Sequence, residues 1–281
     1  MRIALLLMFA LPVAASEPEP KVKPANGVLK RASAADAKTA LERHADIERI
    51  DFAPQVAHLK IDVDLRGLTA PQAIERVAKA FDCEAQDLGK KRWRIAPAWQ
   101  LAIRKKLEND KMTKLDVRDK PLGELLEFVR AASGLPIHLD RTVDSKRRIT
   151  MQIADTNYGS VLALLTEPQE LKWELRYGVI YIAPPDRLKQ MPLLPPRIKG
   201  LEKRRIKGIQ FEQTPLTVLA DYMTALTGVR TIVARGVGAR TVSINVSGVT
   251  VEQAFALMLY PWNMTASRSD GVIEMTARSE R

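Results

Sequence analysis

Three histidines, one cysteine and one close pair of carboxylates are the side chains with which this 281-residue chain could do chemistry. His44, His58 and His138 could ligate a metal or move a proton. They fall in different parts of the sequence pattern and show no His-x-x-x-His spacing, so no metal site is expected. Cys83 would act as a nucleophile only beside a histidine in space, and no neighbouring pattern supplies one. It closes an apolar helical run next to Phe81 and reads as a small buried hydrophobe. As the sole cysteine it has no internal disulfide partner. Asp62 and Asp64 could serve as acid and base. They alternate with Ile61, Val63 and Leu65, which places them on the wet side of a strand. The sequence contains no Gly-x-Ser-x-Gly, phosphate-binding loop or dinucleotide fingerprint. Neither catalysis nor a cofactor is expected.

Basic residues are the more informative group. The formal net charge is +11, which favours anionic partners without choosing among them. The charge is clustered in Lys90, Lys91, Arg92 and Arg94; in Arg104, Lys105 and Lys106; in Lys146, Arg147 and Arg148; and in Lys203, Arg204, Arg205 and Lys207. Most of these fall in turns or linkers, where a solvated surface is the plain reading. The functional reading is a surface for an anionic partner. Trp93, set among basic residues, could stack on a base or sugar, yet it sits on a strand where an aromatic serves equally as core. Nucleic acid is the less favoured partner. Modules of similar topology carry a Gly-x-x-Gly loop, which Gly236-Val-Gly238 does not match.

The chain opens "MRIALLLMFALPVAAS". One basic residue, an apolar stretch from Ile3 to Val13 and a run of small residues have the layout of a secretory signal peptide over 1–16, too short to span a membrane. No later stretch reaches eighteen apolar residues, so no transmembrane segment is expected after its removal.

The elements that must position these residues come in repeats. "YGVIYIA" at 177–183 reappears as "DGVIEMTA" at 270–277, the glycines 93 positions apart. Ile149, Met151 and Ile153 fall on Val242, Ile244 and Val246 at the same offset. Leu115, Val117, Pro121 and Gly134 fall on Ile209, Phe211, Pro215 and Gly228 at an offset of 94. A weaker copy places Ile61, Val63, Leu65, Ile74 and Val77 88 positions before Ile149, Met151, Ile153, Leu162 and Leu165. Within each copy, alternation marks strands and a 3.6-residue period marks helices. Ser33-x-x-Asp36 and Thr250-x-x-Gln253 are capping boxes, and Thr214 is placed to cap the helix after Pro215. Gly134 ends a helix. Tyr177-Gly178 and Asp270-Gly271 are hairpin turns. The expected fold class is α+β: three tandem β-α-β-β-α-β-β units at 28–98, 114–184 and 207–278, each with two helices packed on small sheets. A helical linker at 98–112 joins the first two. A basic, Pro-rich, partly extended linker at 184–205 joins the last two.

The strand-helix-strand-strand-helix-hairpin pattern resembles the secretin and TonB short N-terminal domain family. The resemblance rests on "LDVRDKPLGELLEFVRAASGLPIHLD", "ITMQIADTNYGSVLALL" and "LKWELRYGVIYIA", and on their counterparts in the last unit. It implies a periplasmic, non-enzymatic module that docks other envelope proteins. No secretin pore domain is recognisable in the sequence, so pore formation does not carry over. The expectation is an exported periplasmic scaffold or adaptor for a secretion, pilus or TonB-type system, with self-association through sheet edges. The alternative is a binder of DNA or cell-wall glycan through the basic linkers.

Overall fold

The computed structural model describes residues 27–43 and 46–278. The leader at 1–16 and His44 lie outside the described residues. Among the described residues fifteen strands and six of the eight α-helices form three like sets, with the other two helices between them. The first set is β1 (Val28–Ala32), α1 (Ala34–Glu42), β2 (Arg49–Phe52), β3 (Ile61–Asp64), α2 (Ala70–Ala80), β4 (Glu84–Asp87) and β5 (Arg92–Ala96). Helix α3 (Ala98–Asn109) leads into β6 (Lys111–Pro121), α4 (Leu122–Ser133), β7 (Ile137–Leu139), β8 (Arg148–Asn157), α5 (Tyr158–Thr166), β9 (Lys172–Arg176) and β10 (Val179–Ala183). Helix α6 (Pro185–Gln190) precedes the third set. That set is β11 (Gly208–Pro215), α7 (Leu216–Thr227), β12 (Thr231–Val233), β13 (Thr241–Ser247), α8 (Val251–Leu259), β14 (Met264–Ser269) and β15 (Val272–Ala277). The class is α+β, with the same two sheets in every unit.

In each unit the first and third strands form an antiparallel pair: β1 with β3, β6 with β8, β11 with β13. The second strand runs parallel to the last, which also pairs antiparallel with the one before it. The change of offset from 93 to 94 is a single residue in one loop. Eight residues separate β7 from β8, and seven separate β12 from β13. Both closing turns have positive φ at their two central residues, 49° and 81° at Tyr177-Gly178 and 48° and 76° at Asp270-Gly271. That is the two-residue turn whose twist matches a hairpin.

One irregularity recurs in all three units. The first strand bulges between Leu29 and Ala32, Val117 and Lys120, and Phe211 and Thr214. A non-glycine residue takes a left-handed conformation there: Arg31, Asp119 and Gln213, with φ of 47°, 51° and 46°. Such a residue costs about 1–2 kcal/mol, and the bulge removes its N–H from the ladder. Each N–H is recovered by a side chain of the paired strand: Asp62 Oδ1 at 2.6 Å, Thr150 Oγ1 at 2.9 Å and Ser243 Oγ at 3.0 Å. Asp62 is therefore exposed, as its alternation requires, and also a latch on the bulge.

Three details depart from the sequence reading. Thr214 does not cap α7. The strand runs on through it, Pro215 occupies the N-cap, and the Thr214 hydroxyl donates to Glu212 O. Strand β6 begins at Lys111, so the linker before it is the twelve-residue helix α3 and its C-cap Asp110. The Pro-rich linker, read as partly extended, also carries a helix and packs into a core. It contains α6, and Leu188, Met191, Ile198, Leu201 and Ile206 are buried in the core of the third unit.

Strand β10 is buried along its whole length. Ile180 and Ile182 belong to the core of the second unit. Val179, Tyr181 and Ala183 belong to that of the third. Burying side chains of this size stabilises by about 1.5–3 kcal/mol each, so this one strand contributes to two cores at once. The turn leading into it also touches the third unit. A Cβ on Gly178 would stand 2.9 Å from Gln253 Oε1 and 3.0 Å from Val249 Cγ1, whereas one on Gly271 would meet nothing within 4 Å. Gln253 Oε1 is the acceptor that closes the capping box of α8. Gly178→Ala is therefore expected to destabilise more than Gly271→Ala. Both incur the left-handed cost of about 1–2 kcal/mol. The first loses about 1–2 kcal/mol more through the displaced cap, readable as a lower urea midpoint.

Candidate functional site

The basic residues are distributed rather than gathered. Lys90 and Lys91 form the turn between β4 and β5, and Arg92 is exposed at the start of β5. Lys91 stands 3.8 Å from Asp46, and Arg94 pairs with Glu108 of α3 at 3.4 Å. Trp93 packs partly buried against the first core. Lys146, Arg147 and Arg148 lead into β8. Arg147 donates to Gln169 O at 2.8 Å and Arg148 to Asp119 O at 2.9 Å. Arg204 donates to Leu226 O and Thr227 O, the carbonyls that end α7, and Arg205 donates to Gly248 O. Lys106 plays the matching part for α4, donating to Ser133 O at 3.0 Å. A cation at a helix C-terminus satisfies orphan carbonyls and opposes the helix dipole. Four arginines of the surface expected for an anionic partner thus spend guanidinium hydrogens on main-chain oxygens. Lys203 and Lys207 are exposed in the segment before β11.

The densest polar constellation lies where the second and third units meet. Asp140 follows β7 and is buried to 1% exposure. Its Oδ1 accepts from Thr142 N and Thr142 Oγ1 at 2.9 and 2.6 Å. Its Oδ2 accepts from Tyr181 OH at 2.5 Å and stands 3.7 Å from Arg187 Nε. Burial alone would raise the Asp140 carboxyl, but the Thr142 and Tyr181 hydrogen bonds and the Arg187 charge hold it below the usual carboxylate value. Burial, reinforced by the Asp140 charge, pushes the Tyr181 phenol well up, so it stays a donor. Arg187, on α6, continues the network to Tyr260 O and Pro261 O at 3.0 and 2.6 Å. The carboxylate, phenol and guanidinium form a buried pin through the junction.

His138 lies beside this pin on β7, its ring 5.1 Å from that of Tyr181 and tilted by 42°. Burial drives the imidazole down to about 4 against the pull of Asp140, so it is neutral in the folded protein at neutral pH. A cleft of about 420 Å³ opens past it towards Arg141, Ser145, Gln213, Thr241 and Trp262. The Arg141 guanidinium lies 3.5 Å over the Trp262 ring, and Arg240 flanks the same ring at 5.5 Å while donating to Trp262 O. A histidine, a carboxylate and hydroxyls are therefore near one another. The carboxylate is committed to Thr142 and Tyr181, and among the described residues no hydroxyl is hydrogen-bonded to the imidazole. A relay from nucleophile to base to orienting group needs both contacts. His58 is exposed on the first unit, far along the chain from this cleft. No group of three or more His, Cys, Asp and Glu side chains among the described residues is placed to hold a metal ion.

Sequence reasoning missed Asp140, Tyr181, Arg187, Arg141 and Trp262. One signal was available: "GVIYIA" is apolar at every position, where "GVIEMTA" alternates. A strand apolar on both faces is buried on both faces, which locates the junction on the second hairpin. Cys83 is half-buried against the first core, and its thiol is pushed up to about 12, chiefly by burial and further by Asp82.

Comparison with models of known protein families yields no match for the chain. No curated protein matches it.

Two titration behaviours follow. The unfolded His138 takes up a proton near pH 6.5 and the folded one only near 4. The unfolded state thus binds more protons between these values, and stability falls as pH drops from about 6.5 to about 4. His138→Gln is expected to flatten this decline by about 2 kcal/mol at pH 4.5, read from urea midpoints across the pH range. Asp140 acts lower: its contribution is complete above the ordinary carboxylate value and fades as pH falls below it. For Cys83, alkylation by iodoacetamide at pH 8 is expected to be at least about 100-fold slower in the folded protein than in urea, because the thiolate is the reacting species.

Proposed function

We infer that this chain is an exported, periplasmic, non-enzymatic scaffold that docks proteins of an envelope secretion, pilus or TonB-type system. The observation that carries this reading is the threefold use of one strand-helix arrangement with a common bulge and a common hairpin. Repeated modules offer repeated surfaces, and several small sheets leave several strand edges open. The signal-peptide layout and the family resemblance at the sequence level supply the compartment. The commitment of Asp140 to Thr142 and Tyr181 supports docking over catalysis.

A binder of DNA or wall glycan is less well supported. Arg147, Arg148, Arg204 and Arg205 are engaged with main-chain carbonyls. That leaves Lys90, Arg92, Lys105, Lys146, Lys203 and Lys207 of the clusters for phosphate contacts, dispersed along the chain.

Photo-crosslinking in intact cells, with mass spectrometry of the adducts, is expected to recover a component of an envelope assembly. Recovery of none counts against the scaffold reading. Steep loss of DNA binding as salt rises from 50 to 200 mM would favour the polymer reading instead.

A further inference from the structure

We propose that the second unit carries a peptide-binding groove between the free edge of β6 and helix α4. Its occupant is an extended segment of a protein partner that adds as a strand to β6 and inserts an apolar side chain against Phe128. This rests on the docking reading above and names its surface.

The groove encloses about 500 Å³ and is lined by Lys114, Leu115, Asp116 and Val117 of β6 with Leu125 and Phe128 of α4, among others. Four consecutive residues of one strand line it. Alternate side chains of a strand point to opposite faces, so the groove is bounded by the edge of β6 and not by one of its faces. That edge is unpaired among the described residues, where β6 is bonded to β8 alone. Phe128 is 49% exposed at the rim. An open strand edge beside a helix is the geometry in which peptides bind by strand addition, with main-chain hydrogen bonds for affinity and side-chain pockets for specificity.

The third unit shows what fills such a groove. Val117 corresponds to Phe211 and Phe128 to Tyr222, both at the offset of 94. There the strand aromatic closes over the helix aromatic edge to face, with ring centroids 4.9 Å apart. In the second unit valine stands in place of phenylalanine, and the space stays open. The missing element is an aromatic or large aliphatic side chain.

Charge defines the rest of the occupant. Lys114 and Asp116 are exposed on β6, and their cross-strand partners on β8 are Ala154 and Gln152. Among the described residues none of Lys114, Asp116 and Arg118, the next exposed charge along the strand, is in an ion pair. Opposite charges directly across a strand pair are favourable. The complementary segment therefore carries an acidic residue opposite Lys114 and a basic one opposite Asp116, alternating with apolar residues that face the groove.

The test uses the full chain and a blocked, fluorescein-labelled peptide, Thr-Glu-Val-Arg-Phe-Glu-Val-Thr, read by fluorescence anisotropy. Saturable binding is expected. Val117→Phe recreates the closed pair of the third unit and is expected to weaken binding at least about tenfold, while near-native circular dichroism shows the variant folded. Phe128→Ala, at an exposed position, is expected to weaken it as well. A version with Arg and Glu exchanged is expected to bind more weakly to the wild type and more tightly to Lys114→Glu/Asp116→Lys. No saturable binding of the peptide, or equal binding by Val117→Phe, overturns the groove. A concentration-dependent dimer that Val117→Phe abolishes also overturns it, by seating a second copy there. The docking reading fails separately. If Val117→Phe keeps every in-cell crosslink of the wild type, docking stands and the groove falls; if the wild type yields none, docking itself falls.

Discussion

Strand β10 cannot satisfy one unit without the other. Its pleat presents Ile180 and Ile182 to the second core and Val179, Tyr181 and Ala183 to the third. A strand in this position can carry no charged residue, which is why its sequence is apolar throughout. Its only polar side-chain atom, the Tyr181 hydroxyl, must find a partner in a dry place. Asp140 is that partner, and once a carboxylate is buried it needs donors of its own. Thr142, Tyr181 and the Arg187 charge meet the need. Arg187 can do so because the Pro-Pro-Asp-Arg segment turns directly into α6 and lays the guanidinium across the junction. The linker residues that follow are then drawn into the third core.

The repeat itself was legible in the sequence because it is written in hydrophobic spacing, glycines and prolines, each of which acts locally. Gly178 and Gly271 mark turns that need positive φ, and the capping boxes at Ser33 and Thr250 form as their spacing requires. The bulges were not legible. They occur at Arg31, Asp119 and Gln213, residues with no shared chemistry, and their latches are Asp62, Thr150 and Ser243. What is common is an oxygen acceptor at one place on the neighbouring strand, and a carboxylate, a threonine and a serine supply it equally well. The error at Thr214 has the same root. Threonine before proline is a good local cap, but the ladder between β11 and β13 reaches Pro215 and claims that backbone first.

The basic character of the chain also changes meaning once its arginines are located. A cluster such as Lys203-Arg204-Arg205 looks like a surface for anions when read along the sequence. In the fold, Arg204 reaches the end of α7 and Arg205 reaches Gly248 O. Arginine suits this work because its planar fork can serve two carbonyls at once. Sequence spacing cannot separate the two uses, since both call for a long cation in a loop. The junction residues were hidden for a related reason: Asp140, Arg187 and Trp262 come from three distant segments, and only the shared strand brings them together.

The double burial of β10 has a thermodynamic corollary. In a chain of independent repeats, each unit would melt on its own, and stability would be a sum of separate terms. Here the second unit cannot lose its closing hairpin without stripping one wall from the third, and the third cannot open without wetting Tyr181 and Asp140. These two units form one cooperative folding block. The first unit meets α3 through a smaller patch, Ala53, Ala96 and Leu101, and α3 in turn buries Ile103 and Leu107 in the second core; a hydrogen bond from Gln55 to Leu175 O joins the two units directly. The molecule is therefore threefold in architecture and twofold in its energetics.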